Sequence, residues 1–199
     1  MSPPPTRFAW AAISKSAKDE AMPVIKLRPA TVDDVPILET RDHDPDVISA
    51  TTDDHDAEQA FGDHDWKTEI RQQTADSYFL IAECDGEPIG AMQIIDPHTE
   101  PTHYWGAIPA HLRAIDLWIG APEQRGRGHG TTMMQLAHAR CVADRTVTAI
   151  VIDPLASNER AIAFYRRLGY QPVGRQMFGQ DDCHVHRLER AAWKVLSRE

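Results

Sequence analysis

The chain is poor in the features that would place it in several large classes. Its three cysteines, Cys84, Cys141 and Cys183, form no CxxC pair and no even framework, which argues against a disulfide scaffold or a thiolate zinc site and fits a reducing compartment. No apolar run reaches the roughly 18 residues that a membrane helix requires. Basic residues are in the minority, with 21 Lys and Arg against 30 Asp and Glu and a net charge of −9, the reverse of a nucleic-acid-binding footprint. Such a surface suits a cationic partner, although many plain cytosolic proteins are equally acidic. The N-terminal "MSPPPTRFAWAAISKSAKDEAMP" has no continuous apolar core of the signal-peptide kind. We read residues 1–22 as an extension, residues 23–190 as one domain and residues 191–199 as a tail.

The 199 residues, 42% of them hydrophobic, suffice for one domain with its own core. Alternation predicts a first strand in "VIKLRPAT", and Thr31 caps a short helix in "TVDDVPILET". From Arg41 to Asp65 the chain is crowded with Asp and His and reads mainly as loop, with helices near Ala57 to Phe61 and Trp66 to Gln73. "SYFLIAEC" and "IGAMQIID" flank an Asp-Gly turn and predict a hairpin. A long Pro-containing loop leads to the strand "LRAIDLWIG". The helix "GTTMMQLAHARCVAD", the strand "VTAIVID", the helix "SNERAIAFYRRLG" and two strands around a turn at Gln180 to Asp182 follow. Hairpins mixed with crossover helices predict an α/β (α+β) fold with a mixed sheet of six to seven strands.

Between strand and helix lies "GAPEQRGRGHGTTMMQ". Free amides at a helix start carry partial positive charge, glycines let an anion approach them, and Arg125 and Arg127 add charge. The physics points to pyrophosphate. A Walker A loop needs a Lys that is absent here. A dinucleotide fingerprint needs GxGxxG near the start of a βαβ unit, whereas these glycines fall as GxGxG. An R/Q-x-x-G-x-G/A loop for acetyl-coenzyme A matches at Arg125, Gly128 and Gly130. A glycine-rich turn without a ligand is the plain alternative. About 25 residues on, "SNERAIAFYRRLGY" carries Asn158 and Tyr165 seven apart, two turns along one helical face.

Loop and helix motif together, in this order and spacing, resemble the GNAT superfamily of acetyl-CoA-dependent N-acetyltransferases over roughly Ile25 to Leu188. "GEPIG", "RAIDLWIG", "IDPLASNERAIAFYRRLGY" and "HYWG" are most similar to the aminoglycoside 6'-N-acetyltransferases, with acetylation of a polyamine, a siderophore precursor or a protein α-amine, or a non-catalytic CoA-binding module, as alternatives. The resemblance implies a sheet splayed into a V between its two central strands. It implies pantetheine beside Trp118, Ile119 and Gly120. Pyrophosphate would lie on Arg125, Gly126, Arg127, Gly128, His129, Gly130 and Thr131, and Asn158 would meet the cofactor's arm. Tyr165 becomes the proton donor to the leaving sulfur.

Asp116 sits inside the apolar strand "AIDLWI", where an unpaired charge is expensive. The resemblance sets it at the acceptor amine as catalytic carboxylate. Asp153, in "IVIDP", is a second acid at a strand end; it either joins Asp116 in holding a cation or caps the following turn. Tyr104 and Trp105 are an aromatic wall or plain loop packing, and Asp181 is an acceptor-site acid or a turn residue. His43, His55, His64, His184 and His186 form no tight ligand set, and no metal is expected. The expected partner is a small cationic amine, without nucleic acid or membrane, for a cytoplasmic monomer or homodimer connected with antibiotic resistance.

Overall fold

The computed structural model describes residues 23–62, 65–120 and 122–196. The extension at 1–22, His64 and the end of the tail lie outside the described residues. Seven strands form one sheet in the order β1-β2-β3-β4-β5-β7-β6: β1 (Ile25–Pro29), β2 (Ser77–Cys84), β3 (Glu87–Ile95), β4 (Leu112–Ile119), β5 (Ala149–Ile152), β6 (Gln171–Phe178) and β7 (Asp181–Glu189). Only β4 and β5 run parallel; every other pair is antiparallel. Helices α1 (Val35–Asp42), α2 (Pro45–Thr51) and α3 (Trp66–Arg71) lie between β1 and β2 in sequence. Helices α4 (His129–Ala143) and α5 (Glu159–Arg167) flank β5, and α6 (Arg190–Leu196) follows β7, within the stretch read as a tail.

Strand alternation divides the core between two faces. Leu80, Ala82, Met92, Ile94 and Ile115 pack under Met133, Met134, Ala137 and Cys141 of α4 and Tyr165 of α5. Phe79, Ile81, Ala91 and Trp118 point the other way, to Val35, Leu38, Trp66 and Ile70 on the α1–α3 side. Burying a large aliphatic or aromatic side chain stabilises the fold by roughly 1.5–3 kcal/mol. The β2–β3 hairpin turns at Asp85 and Gly86, with φ of 53° and 93°, the positive pair that Asp-Gly accommodates. Gly90 is required for another reason: a Cβ there would lie 2.3 Å from the Trp118 carbonyl oxygen of the neighbouring strand.

Two local expectations fail. The stretch Ala57 to Phe61 is turn and loop rather than helix, because its amides are taken elsewhere: Ala60 N–H donates to the Asp42 carbonyl at 2.8 Å and Phe61 N–H to the Asp42 carboxylate at 2.9 Å. The helix of this region is α2 instead, started by Asp44, whose carboxylate accepts from the Asp46 amide, with Pro45 in the first turn. The final turn is also tighter than expected, since Asp181 and Asp182 already belong to β7 and only Gly179 and Gln180 make the connection.

Candidate active site

Strands β4 and β5 pair only from Leu112–Ala149 to Ala114–Val151. Beyond Ala114, β4 continues to Ile119 hydrogen-bonded to β3 alone. This is the V-shaped opening. Asp116 shares its side of β4 with Trp118, whereas Tyr165 packs in the core of the opposite face. Only where the sheet has parted can groups from both faces meet, and there the fields of Asp116 and Asp153 both act on the Tyr165 hydroxyl.

The floor of the opening is acidic. Asp116 is pushed up to about 7, first by burial and then by the charge of Asp153. Asp153 is also raised by burial, to about 6; the Tyr104 hydroxyl donates to it at 2.8 Å and holds it lower, while Asp181 works in the raising direction. Two carboxylates in such a place share a proton more readily than they ionise together. Tyr165 is 8% exposed, and its hydroxyl makes no hydrogen bond among the described residues. Burial, then the two aspartates, raise its hydroxyl far above neutrality, so it keeps its proton at physiological pH.

The glycine turn forms the other pole. Gly126 and Gly128 take φ of 75° and 87°, and a Cβ at either would meet nothing within 4 Å. Both therefore need glycine for their backbone conformation and face open space. The amides of Gly126, Arg127, Gly128, His129 and Gly130 have no acceptor among the described residues, while Thr131 N–H already turns back to the Gly128 carbonyl at 3.0 Å. A run of free amides at the start of the 15-residue α4, with glycines giving clearance, fits the phosphates of a coenzyme A. Arg127 is exposed beside it. Gly130 packs against Phe164 and Ile119, 3.4 and 3.7 Å from where its Cβ would stand.

Other expected cofactor residues are differently engaged. Arg125 donates to the carbonyls of Ile119 at 3.0 Å and Gly120 at 2.9 Å and to Asp46 at 2.7 Å, so its guanidinium binds the end of β4 to α2. His129 is buried and its ring meets the Gln124 side chain at 3.1 Å; its backbone amide is what it offers an anion. Asn158 caps α5 through Ala161 N–H at 3.0 Å and donates to the Ala50 carbonyl of α2 at 3.2 Å. Trp118 is buried among aromatics, its ring 4.6 Å from that of Phe61.

Of the two loop aromatics, Tyr104 is 45% exposed and Trp105 only 7%. Trp105 packs edge-on against Phe178 beneath the surface; Tyr104 alone presents a face. Asp181 accepts from the Thr52 hydroxyl and the Asp53 amide, both at 2.7 Å, and Asp53 in turn accepts from the Asp182 amide at 3.0 Å and the Ser157 hydroxyl at 3.0 Å. The Asp-rich segment is thus a clasp between α2 and the far half of the sheet. Among the described residues no group of three His, Cys, Asp or Glu is placed to hold a metal ion. His43 meets its own helix at the Glu39 carbonyl, and His184 and His186 stand with ring centroids 6.4 Å apart. Sequence reading passed over Glu100, Asp42 and Phe178. Pro45 behind Asp44 was a readable helix start; Glu100 and Phe178 carried no local signal.

The acetyltransferase (GNAT) domain family matches residues 31–178. The aminoglycoside N(6')-acetyltransferase type 1 of Klebsiella pneumoniae is 31% identical over 106 residues, 53% of this chain and 52% of that protein. The spermidine N(1)-acetyltransferase of Escherichia coli (strain K12) is 31% identical over 100 residues, 49% of this chain and 47% of that protein. The chain therefore spans about half the length of the curated relatives it matches. The fold of the aminoglycoside acetyltransferase AAC(6')-Ib, crystallised with coenzyme A and kanamycin, superposes with a TM-score of 0.73 at 22% identity, covering 88% of this chain and 100% of that one. The spermidine N-acetyltransferase of Vibrio cholerae, crystallised with coenzyme A and spermine, gives 0.67 at 15%, covering 85% and 98%. A family match across most of the chain, on a sheet split between β4 and β5 beside a glycine turn, has one reading: the chain belongs to the GNAT acetyltransferase family.

Proposed function

We propose that this protein is an N-acetyltransferase that uses acetyl-CoA to acetylate a primary amine of a small cationic acceptor of the aminoglycoside or polyamine kind. The observation that carries the reading is the meeting of Asp116, Asp153 and Tyr165 in the gap between β4 and β5, next to the free amides of Gly126 to Gly130. Bound acetyl-CoA supplies the thioester carbonyl that the amine attacks. The glycine turn holds the phosphates through its amides, and Arg127 adds charge from outside.

An aliphatic ammonium has to lose a proton before its nitrogen is nucleophilic. Asp116, raised toward neutrality by burial and by Asp153, is matched to take that proton near pH 7. Asp153 keeps negative charge beside it and attracts the remaining cationic groups of the acceptor. Tyr165, held protonated, offers its hydroxyl proton to the sulfur as the carbon–sulfur bond breaks. Tyr104 presents an aromatic face suited to a sugar ring or a cationic chain. Both relatives named for amine acceptors agree with this chemistry.

The clasp formed by Asp53 and Asp181 adds acid to the same side of the opening, which favours cationic over acidic acceptors. Three unpaired thiols suit a cytoplasmic location, and an acidic surface does not suit nucleic acid. With an aminoglycoside acceptor the activity would be antibiotic resistance; a monomer or homodimer suffices, since every group named comes from one chain. The test is release of coenzyme A thiol across a panel of aminoglycosides, polyamines, amino acids and acidic peptides. Turnover with the cationic members is expected. Turnover confined to acidic acceptors would overturn the acceptor assignment, and no thiol release with any amine would overturn the enzyme.

A further inference from the structure

The loop between β3 and β4 is folded around one side chain, Glu100. Its carboxylate is buried, and three donors converge on it: the Thr102 amide at 2.8 Å, the Thr102 hydroxyl at 2.6 Å and the Tyr104 amide. Burying a carboxylate is costly unless its oxygens are satisfied, so such an anchor in a surface loop needs a purpose. The turn it fixes takes His103 through φ of 52°, a conformation that side chains with a Cβ rarely adopt. What the turn delivers is Tyr104.

The Tyr104 ring lies flat on Phe178, with centroids 4.4 Å apart and planes 9° from parallel, and Trp105 closes from the edge at 5.9 Å. Gripped at its backbone by Glu100 and at its ring by Phe178, the side chain sets its hydroxyl 2.8 Å from Asp153 Oδ2. That hydroxyl donates, because an ionised carboxylate can only accept and its charge holds the phenol proton in place. A donor fixed on one member of a carboxylate pair favours the ionised form of that member.

We propose that Glu100 is a positioning residue that, through Tyr104, keeps Asp153 as the ionised member of the pair and leaves Asp116 as the member that exchanges a proton with the amine. The division of labour follows from geometry. Asp116 receives no hydrogen bond from a described residue, whereas Asp153 has the hydroxyl. The groups that face the pair are Asp116 from β4, Tyr104 from the β3–β4 loop, Tyr165 from α5, and Asp181 and Cys183 from β7. None of these supplies a positive charge that would level the difference.

The inference rests on the acetyl-transfer reading for its meaning, and its test does not need an acceptor. Carboxyl carbon NMR of the full chain, ¹³C-labelled at Asp, reads the two titrations in the absence of any ligand. In the unmodified protein Asp116 is expected to hold the last proton lost by the pair. In Tyr104→Phe, which retains the stacked ring and lacks only the hydroxyl, the proton moves toward Asp153. The Asp153 carboxyl then titrates about one pH unit higher, the size of a hydrogen bond to a charged group, while the upper step of the pair, held mainly by Asp116, rises by less. Glu100→Gln turns an amide nitrogen toward one of the donors and is expected to shift the pair in the same direction by less. The double variant is expected to go no further than Tyr104→Phe. Unchanged titrations in Tyr104→Phe, or a Glu100→Gln shift that simply adds to it, would overturn the proposal. If the amine panel finds a substrate, the acid limb of kcat/KM must rise with the same ordering. If it finds none, the NMR result still decides the relay.

Discussion

The two poles of the opening are made of different materials. The proposed phosphate pole is backbone: five consecutive amides, Gly126 to Gly130, contributed by one turn. The proposed acceptor pole is side chain: Asp116, Asp153, Tyr104 and Tyr165 arrive from β4, the end of β5, a loop and α5. A backbone site tolerates most residue types provided the conformation is kept. A side-chain site tolerates shifts of conformation poorly and depends on each functional group. The difference means that substitutions at the two poles should separate binding from chemistry.

The largest expected effect is at the acceptor pole. Asp116→Asn is expected to lower turnover by about 10²–10⁴-fold, the usual worth of a general base, with coenzyme A affinity unchanged by calorimetry. The same variant should be more stable than the parent at alkaline pH. Because burial raises Asp116 from 3.8 to about 7, the folded chain retains a proton that the unfolded chain releases between those values. Stability is therefore lost as pH rises through that window, and Asn avoids the loss. Thermal melts should separate the variants most at pH 8, less at pH 5 and not at all below about pH 3.8. Near-normal turnover at saturating amine would return Asp116 to a structural role and erase the contrast between poles.

A smaller effect is expected at the phosphate pole. Gly128→Val forces a β-branched residue into φ of 87° and places its side chain where phosphates approach, so coenzyme A should bind at least about tenfold more weakly. The rate at saturating cofactor should fall much less. Unchanged affinity would show that the turn does not hold the phosphates. The smallest effect is electrostatic and belongs to the rim. Raising ionic strength screens exposed charges over about 8 Å at physiological salt, so kcat/KM for a polyamine or aminoglycoside should drop several-fold while saturated turnover stays constant. A rate that rises with salt would contradict an acidic acceptor site.

The same contrast governs what could be read from the sequence. The glycine turn was legible because its amides are neighbours, and glycine spacing is visible in one line of residues. The sheet was legible for the same reason: alternation in β2, β3 and β4 and the Asp-Gly turn are local. Asp116 stood out as an acid in an apolar strand. Its pairing with Asp153 depends on β5 lying beside β4, which only the family resemblance implied. The support of Tyr104 was not legible, since Glu100 and Phe178 are 78 positions apart and neither has a signature. Nor was α2 found. Its Asp44–Pro45 start stood in the sequence, but among acids such as Asp46 and Asp53 whose partners, Arg125 and Ser157, are fixed only by the folded chain. Arg125 shows the converse. The motif assigns it to phosphate, while in the fold its guanidinium grips two carbonyls and an aspartate.

The short seam between β4 and β5 has a mechanical consequence. Three residue pairs join a four-stranded plate, β1 to β4, to a three-stranded one, β5 to β7, and past Ala114 no ladder resists their rotation. Leverage about that seam is checked at the far rim by α2, tied to one plate through Asp46 and Arg125 and to the other through Ala50 and Asn158 and through Thr52, Asp53 and Asp181. The aperture is thus set by a stay across its mouth as much as by the joint at its apex. Loosening that stay at Asp46–Arg125 or Ala50–Asn158 should change the width of the opening without altering Asp116, Asp153, Tyr104 or Tyr165.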